Sequence, residues 1–243
     1  MAVTYWPDDY LAKRCSAEKA IGLIHSGQRI FIGTSCGEPQ HLVRALAAQS
    51  ERFADIEIVR LLSLETVPLT MIASETSTNS FNIRSFYSGS GIPRTLAQNR
   101  RFFTPINLSA LPDLFRSRQI PVHVALVQVS PPDDFGWMSL GISVDVTLAA
   151  ALSADLIVAQ INPRMPRVLG RSFIHVNDVH AVVEHEEDLL TAAYVPDLEA
   201  NRMIGRHVAK LIEDGSTLQL GLGATPQATL LAMADKKIGR AHV

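Results

Sequence analysis

Two short glycine-bearing loops hold most of the chemistry this sequence could do. In the first, Gly221, Leu222, Gly223, Ala224 and Thr225 run into Pro226, between a strand-like apolar run and a helical pattern. A glycine turn there lets backbone N–H groups approach an anion closely, and the helix start adds partial positive charge. The spacing is not a dinucleotide fingerprint, because Pro226 stands where the third glycine belongs and no acid follows at about 20 residues. It is not a P-loop either, since no Gly-Lys-Ser/Thr follows. An ordinary helix start with Pro226 near its first position is the plainer alternative. The second loop reads Gly33-Thr34-Ser35-Cys36-Gly37, followed by Glu38 and Pro39. It matches the G-x-S-x-G elbow of α/β-hydrolases and makes Ser35 a candidate nucleophile. Against that reading, it sits on the first clear strand, Pro39 follows almost at once, and the loop at Gly221 has no serine. Cys36 could act as a thiolate at a helix start, or fill space as a small buried side chain.

Other candidates are weaker by spacing. His175, His180 and His185 recur every fifth residue among Asp178, Glu184, Glu186, Glu187 and Asp188. Five residues rotate by roughly 140° on a helix, and odd spacing on a strand alternates faces. Metal ligation is therefore disfavoured, no metal is expected, and the run EHEED reads as a solvated loop. Arg164, Arg167 and Arg171 suit phosphate by residue type, or lie in solvent on a loop.

The elements that would position these loops follow from apolar patterning. Runs at 29–32, 56–61, 122–127, 156–160, 181–183 and 218–220 read as buried strands. Their length and turn-rich borders suit a parallel sheet covered on both faces. Helical patterns at 16–25, 40–48, 146–152 and 198–213 alternate with them, which predicts an open, mostly parallel α/β sheet with helices on both faces. Segments 88–112 and 130–141 read as irregular, of a length that is often functional. The strand-Gly-Pro-Gln-helix order starting at Arg29 recurs from Leu218, as if a second α/β unit begins there. The 243 residues carry a formal charge of -2, too near neutral for a general attraction to nucleic acid. No apolar run approaches a membrane span, no signal pattern opens the chain, and two cysteines cannot staple a disulfide scaffold. A cytoplasmic globular protein without membrane or nucleic-acid partners is expected.

Taken together, GTSCGEPQHLVRAL, RRFFTPINLSALP, VQVSPPDDFGWMSLGISVD, INPRMPRVLGRSFIHVNDV and LQLGLGATPQATLLAMADKK resemble the acetyl-CoA hydrolase/transferase family. The resemblance implies two α/β domains related to the ribose-5-phosphate isomerase fold, with residues 1–200 as the N-terminal domain and 201–243 as the start of the second. It implies acyl-CoA and small carboxylates as substrates in acetate metabolism, by transfer or by hydrolysis, with coenzyme A as substrate and no metal. A glutamate attacks the thioester and forms glutamyl-CoA and anhydride intermediates. Backbone donors hold the oxyanion. Gly221, Leu222, Gly223, Ala224 and Thr225 match the stretch that contacts CoA. Gly33, Thr34, Ser35, Gly37 and Pro39 match a loop facing the same cleft. The glutamate itself falls at Val243 or beyond, so no catalytic residue is assigned within the chain. The expectation is a truncated chain, inactive alone, that self-associates or lacks a C-terminal domain. A non-catalytic module of a split or larger enzyme and a Ser35 hydrolase are the alternatives. Read one nucleotide later, codons for Gly239-Arg240-Ala241-His242-Val243 can spell the family's Gly-Val-His-Thr, which suggests a frameshift near Lys237.

Overall fold

A computed structural model describes residues 5–62, 81–87, 101–192, 198–221 and 223–242. The chain divides into two compact units, Met1–Ala192 and Ala193–Val243. In the first, β1 (Arg29–Ile32), β2 (Ile56–Arg60), β3 (Phe81–Ser85), β4 (Arg101–Phe103), β5 (Val124–Val129), β7 (Leu156–Ile161) and β9 (Ala181–Glu184) form one sheet. Its order is β4-β3-β2-β1-β5-β7-β9, and every neighbouring pair is parallel. β5, with sequence VALVQV, is buried at every position, as a central strand covered on both faces demands.

Helices cover both faces. On one, Ile30, Ile58, Leu126 and Val158 pack with Ala20 and Ile21 of α2 (Ala17–Ile21) and Leu42 and Leu46 of α3 (Gln40–Ala48). Ser16 starts α2 by accepting a hydrogen bond from the Lys19 N–H at 3.3 Å. On the other face, Phe31 and Val59 meet Leu111 and Phe115 of α4 (Leu111–Arg116), and Ala125 and Val127 meet Ala151 of α5 (Thr147–Ser153). α1 (Trp6–Lys13) packs its Trp6 and Tyr10 on this second side.

The chain runs outward from β1 to β2, β3 and β4, then returns to β5 and continues to β7 and β9. The winding direction thus reverses between β1 and β5. Such a reversal, at the carboxyl ends of those two strands, is the usual ligand position in an open α/β sheet.

Two segments expected to be irregular contain regular structure. Residues 88–100 of the first lie outside the described residues, but β4, a 3-10 turn over Leu108–Ala110 and the start of α4 fall within the rest. In the second, β6 (Trp137–Ser139) pairs antiparallel with β8 (Phe173–His175). The Asp133 carboxylate organises that turn by accepting from the Phe135 N–H at 3.0 Å and the Trp137 N–H at 2.8 Å. Gly136 sits there at φ 83°, where a Cβ would meet the Trp6 and His175 rings.

The second unit contains α6 (Glu199–Ala209), β10 (Thr217–Gln219), α7 (Ala224–Leu231) and β11 (Arg240–His242). β10 and β11 are parallel. α6 and α7 pack closely at Gly205, where a Cβ would lie 2.6 Å from the Ala228 carbonyl oxygen. Among the described residues, no helix is long and apolar enough to cross a membrane.

Candidate active site

Residues 33–39 leave the carboxyl end of β1 at the reversal point. The Gly33 N–H still bonds the Leu126 carbonyl at 2.9 Å, so the loop starts in register with β5. The chain then turns through a 3-10 helix, Ser35–Gly37, with Ser35 at φ 51°. That is a left-handed conformation an L-residue adopts only when its surroundings hold it. Here the Ser35 N–H is tied to the Leu62 carbonyl at 2.8 Å.

The stronger hold comes from residues 143–147. The fully buried Thr34 hydroxyl donates to the Asp145 carboxylate. Ser143 Oγ lies 2.5 Å from Thr34 Oγ1 and donates to the Thr34 carbonyl at 2.7 Å. The other Asp145 oxygen accepts from the N–H and hydroxyl of Thr147, both at 2.9 Å, at the start of α5. Gly37 closes against this clamp: a Cβ there would sit 2.5 Å from the Ser143 Cβ.

Beneath the loop lies a buried polar network. Gln128, at the carboxyl end of β5, donates to the Glu38 carbonyl at 3.1 Å. Gln160 on β7 accepts from the first free N–H groups of α3, His41 at 3.1 Å and Leu42 at 3.3 Å, and donates to Glu187 Oε1 at 2.7 Å. Asn162 joins Gln128 Oε1 and the Glu187 carbonyl, both at 2.8 Å. Glu187 also accepts from the His41 N–H at 3.1 Å and from Arg44 Nη2 at 2.6 Å. Burial alone would raise its pKa. The hydrogen bonds from Arg44 and Gln160, with the charges of Arg44 and His185, outweigh burial and hold the carboxyl below its ordinary value. The His41 ring stacks on His185 at 3.8 Å, and burial, then the neighbouring His185 and Arg44, push its pKa down.

The expectation of a solvated EHEED loop is thus corrected at Glu187, whose side chain is 14% exposed. A half-buried carboxylate persists there because three donors reach it. Glu186 and Asp188 stay exposed and pair with Arg164 at 3.3 and 3.4 Å. Arg167 pairs with Asp133 at 2.7 Å, and Arg171 is exposed. The three spaced histidines do separate tasks. His175 bonds the Phe135 carbonyl, His180 Nδ1 accepts the Ile157 N–H at the start of β7, and His185 stacks on His41. Among the described residues, no cluster of three or more His, Cys, Asp or Glu could hold a metal.

A hydrolase at Ser35 needs a base within hydrogen-bonding reach. Among the described residues the Ser35 hydroxyl instead faces Cys36 Sγ at 3.9 Å. Cys36 is half-buried and Pro39 is buried. In the second unit, Gly223 is the cap of α7, at φ 128°, a value that only glycine holds without strain. Gly221 is exposed, and a Cβ on it would touch nothing within 4 Å. Ala224 and Thr225 open α7, and the Thr225 hydroxyl donates to Asn201 Oδ1 at 3.3 Å. Leu222 lies outside the described residues. Pro226 is the third residue of α7, where its missing N–H leaves no helix bond unmade.

Sequence reasoning missed Ser143, Asp145, Gln128, Gln160 and Asn162, and took Glu187 only as part of a solvated run. One signal was available: Gln128, Gln160 and Asn162 are amides ending or closely following runs otherwise apolar, a placement that implies buried partners.

A family profile described as acetyl-CoA hydrolase/transferase N-terminal domain matches residues 4–196. The 4-hydroxybutyrate coenzyme A transferase of Clostridium kluyveri is 38% identical over 232 residues, which is 96% of this chain and 53% of that protein. The succinyl-CoA:acetate/propanoyl-CoA:succinate CoA transferase of Fasciola hepatica is 31% identical over 91% of this chain and 46% of its own length. Among solved structures, RipA from Yersinia pestis superposes with a TM-score of 0.86 at 25% identity, over 98% of this chain and 57% of that one. A 4-hydroxybutyrate CoA-transferase from Porphyromonas gingivalis gives 0.74 at 29% identity, over 96% of this chain and 54% of that one. The chain spans about half the length of the curated relatives it matches.

Proposed function

The chain belongs to the acetyl-CoA hydrolase/transferase family, and from that premise we propose that it forms part of a catalyst moving CoA between a short acyl-CoA and a carboxylate. The observation that carries this reading is the loop at residues 33–39, held at the sheet's reversal point by Thr34, Ser143 and Asp145. Its carboxylates are committed: Asp145 to Thr34 and Thr147, and Glu187 to Gln160, His41 and Arg44. Such groups orient a loop rather than attack a thioester. The role we assign to Gly33, Thr34, Ser35, Gly37 and Pro39 is to shape one wall of an acyl-CoA site.

Gly221, Leu222, Gly223, Ala224 and Thr225 supply the CoA contact in this proposal. Support comes from the exposed, uncrowded Gly221, the glycine-only conformation of Gly223 and the helix start behind them. The attacking glutamate is not among these residues, so transfer by this chain alone should be near background. Acetate or a related acid as acceptor, and a cytoplasmic location, complete the proposal.

Calorimetry with acetyl-CoA, paired with a CoA-transfer assay run with and without a full-length relative, tests it. We expect weak acyl-CoA binding, well above micromolar, that fails when Gly223 is replaced by valine, and no turnover by this chain alone. Robust turnover by this chain alone, or binding indifferent to Gly223→Val, would overturn the assignment. Labelling of Ser35 by a fluorophosphonate would favour the hydrolase instead.

A further inference from the structure

Far from residues 33–39, toward the starts of β1, β2 and β3, the same sheet carries a depression of about 330 Å³. Its floor is a row of side chains across paired strands. Arg29 stands opposite Glu57, Glu57 opposite Asn82, and Arg84 opposite Phe102. Strand alternation puts Arg29 and Glu57 on the face that bears Phe31 and Val59. Farther along, α4 covers that face with Leu111 and Phe115. At the depression α4 does not reach it, and the described residues leave it accessible.

The charges there cancel and are held in place. Glu57 accepts from Arg29 Nε at 2.7 Å through one oxygen and from Arg84 through the other. Arg29 Nη1 also reaches the Pro121 carbonyl at 3.1 Å, and Arg84 Nη1 reaches Thr104 Oγ1 at 2.9 Å. Asp55 accepts from the Asn82 amide at 3.1 Å. Among the described lining residues, two guanidiniums thus face two carboxylates, and these four groups give no net field to select a phosphate, a carboxylate or an amine.

What remains is an aromatic face and an amide edge. Phe102 is 46% exposed, with the Arg84 guanidinium carbon 5.7 Å from its ring centroid. The bond to Asp55 uses one N–H of Asn82 and fixes the amide's orientation. The Asn82 carbonyl and second N–H then present an adjacent acceptor and donor. His123 Nδ1 accepts the Arg29 N–H at 2.9 Å, so its Nε2 carries the proton and adds a donor at the far end. The volume sits at the small end of ligand pockets. An amide reads adenine through its N6 amino group and N7, and a base stacks on a phenylalanine face.

We propose that this depression binds an adenine ring, stacked on Phe102 and read by Asn82. The ring could come from a free nucleoside or from the base end of a nucleotide. The cancelled charges predict that phosphate adds nothing.

Adenosine and AMP titrated into the isotope-labelled full chain, followed by amide NMR shifts, test this. Both probes share the adenosine end of CoA, so it is the residues that shift, and not binding itself, that separate this site from any CoA site at residues 221–225. Adenosine should shift Glu57, Asn82 and Phe102 while leaving β7 and β9 unmoved. Phe102→Ala and Asn82→Ala should each weaken it by roughly fivefold or more, since stacking and a bidentate amide contact are each worth about 1–3 kcal/mol. Unchanged β7 and β9 signals in both variants report an intact fold. AMP should bind within about threefold of adenosine at low and high salt, as a site without net charge requires. No shift at the solubility limit of adenosine, shifts that map elsewhere, or affinity indifferent to both substitutions would overturn the proposal. So would salt-sensitive binding of AMP far tighter than that of adenosine, which marks an anion site instead.

Discussion

Replacing Gly37 with alanine tests whether the clamp positions the loop as described. The new Cβ would lie 2.5 Å from the Ser143 Cβ, whereas carbon atoms rest at about 3.5–4.0 Å. A gap of at least about 1 Å has to open. Ser143 resists, because its hydroxyl is bonded to Thr34 at both the carbonyl and the side chain. The loop resists too, through Gly33 to Leu126, Ser35 to Leu62 and Gln128 to Glu38. Overpacking of this kind costs about 1–3 kcal/mol. Gly37 does not occupy the left-handed region, so alanine also removes chain entropy and offsets about 0.4–1 kcal/mol. A net loss of about 0.5–2 kcal/mol follows from the two effects. In urea, Gly37→Ala should lower the midpoint without changing the slope. The decisive comparison repeats the substitution in a Ser143→Gly background. There the obstructing Cβ is gone and only the entropy gain remains, so Gly37→Ala should become neutral or stabilising. Equal destabilisation in both backgrounds, within about 0.5 kcal/mol, would refute the packing argument.

Three further outcomes can be checked. Burial and the charge of Lys13 hold the His180 pKa below its ordinary 6.5, against the pull of Asp178. The unfolded chain therefore takes up the proton first, and stability should fall as pH drops below about 6.5. His180→Gln should flatten that slope in thermal melts. Glu187→Ala should cost roughly 1–3 kcal/mol in chemical denaturation, because buried Gln160 and the His41 N–H lose their shared acceptor. Its signature should be faster amide exchange at His41 and Leu42. Leu211 and Leu231 of the second unit are 82% and 63% exposed, so the chain should self-associate, and Leu211→Ser with Leu231→Ser should reduce the mass seen by light scattering.

Much of the fold was legible because burial on both faces leaves a simple trace. The runs at residues 29–32, 56–61 and 156–160 are mostly apolar, broken only by Arg29, Glu57, Arg60 and Gln160, and each falls on a strand of the parallel sheet. β3 and β4 left no comparable trace. FNIRS alternates between core and the polar floor beside Glu57, and RFF is too short to show a period. β6 was hidden among turn residues that Asp133 and Gly136 organise. Of the site, glycine spacing marked residues 33–37 because a strand-to-helix turn needs that residue type locally. Ser143 and Asp145 lie more than a hundred positions away from Thr34, and no local pattern announces such a partnership.

The difference between Glu187 and its neighbours shows where the sequence stops. In EHEED all the acids read alike, as a solvated charge run. The chain order alone determined an α/β architecture, two glycine turns and a resemblance strong enough to name a family. Only the tertiary structure decided that Glu187 is half-buried and held charged, because its ionisation depends on donors from β7 and α3 that sequence separates by 27 to 146 residues. It also decided that Thr34 is clamped and that Ser35 lacks a base among the described residues. Propensity and periodicity act within a few residues. Desolvation and hydrogen-bond satisfaction are set by whatever the fold brings within about 3 Å.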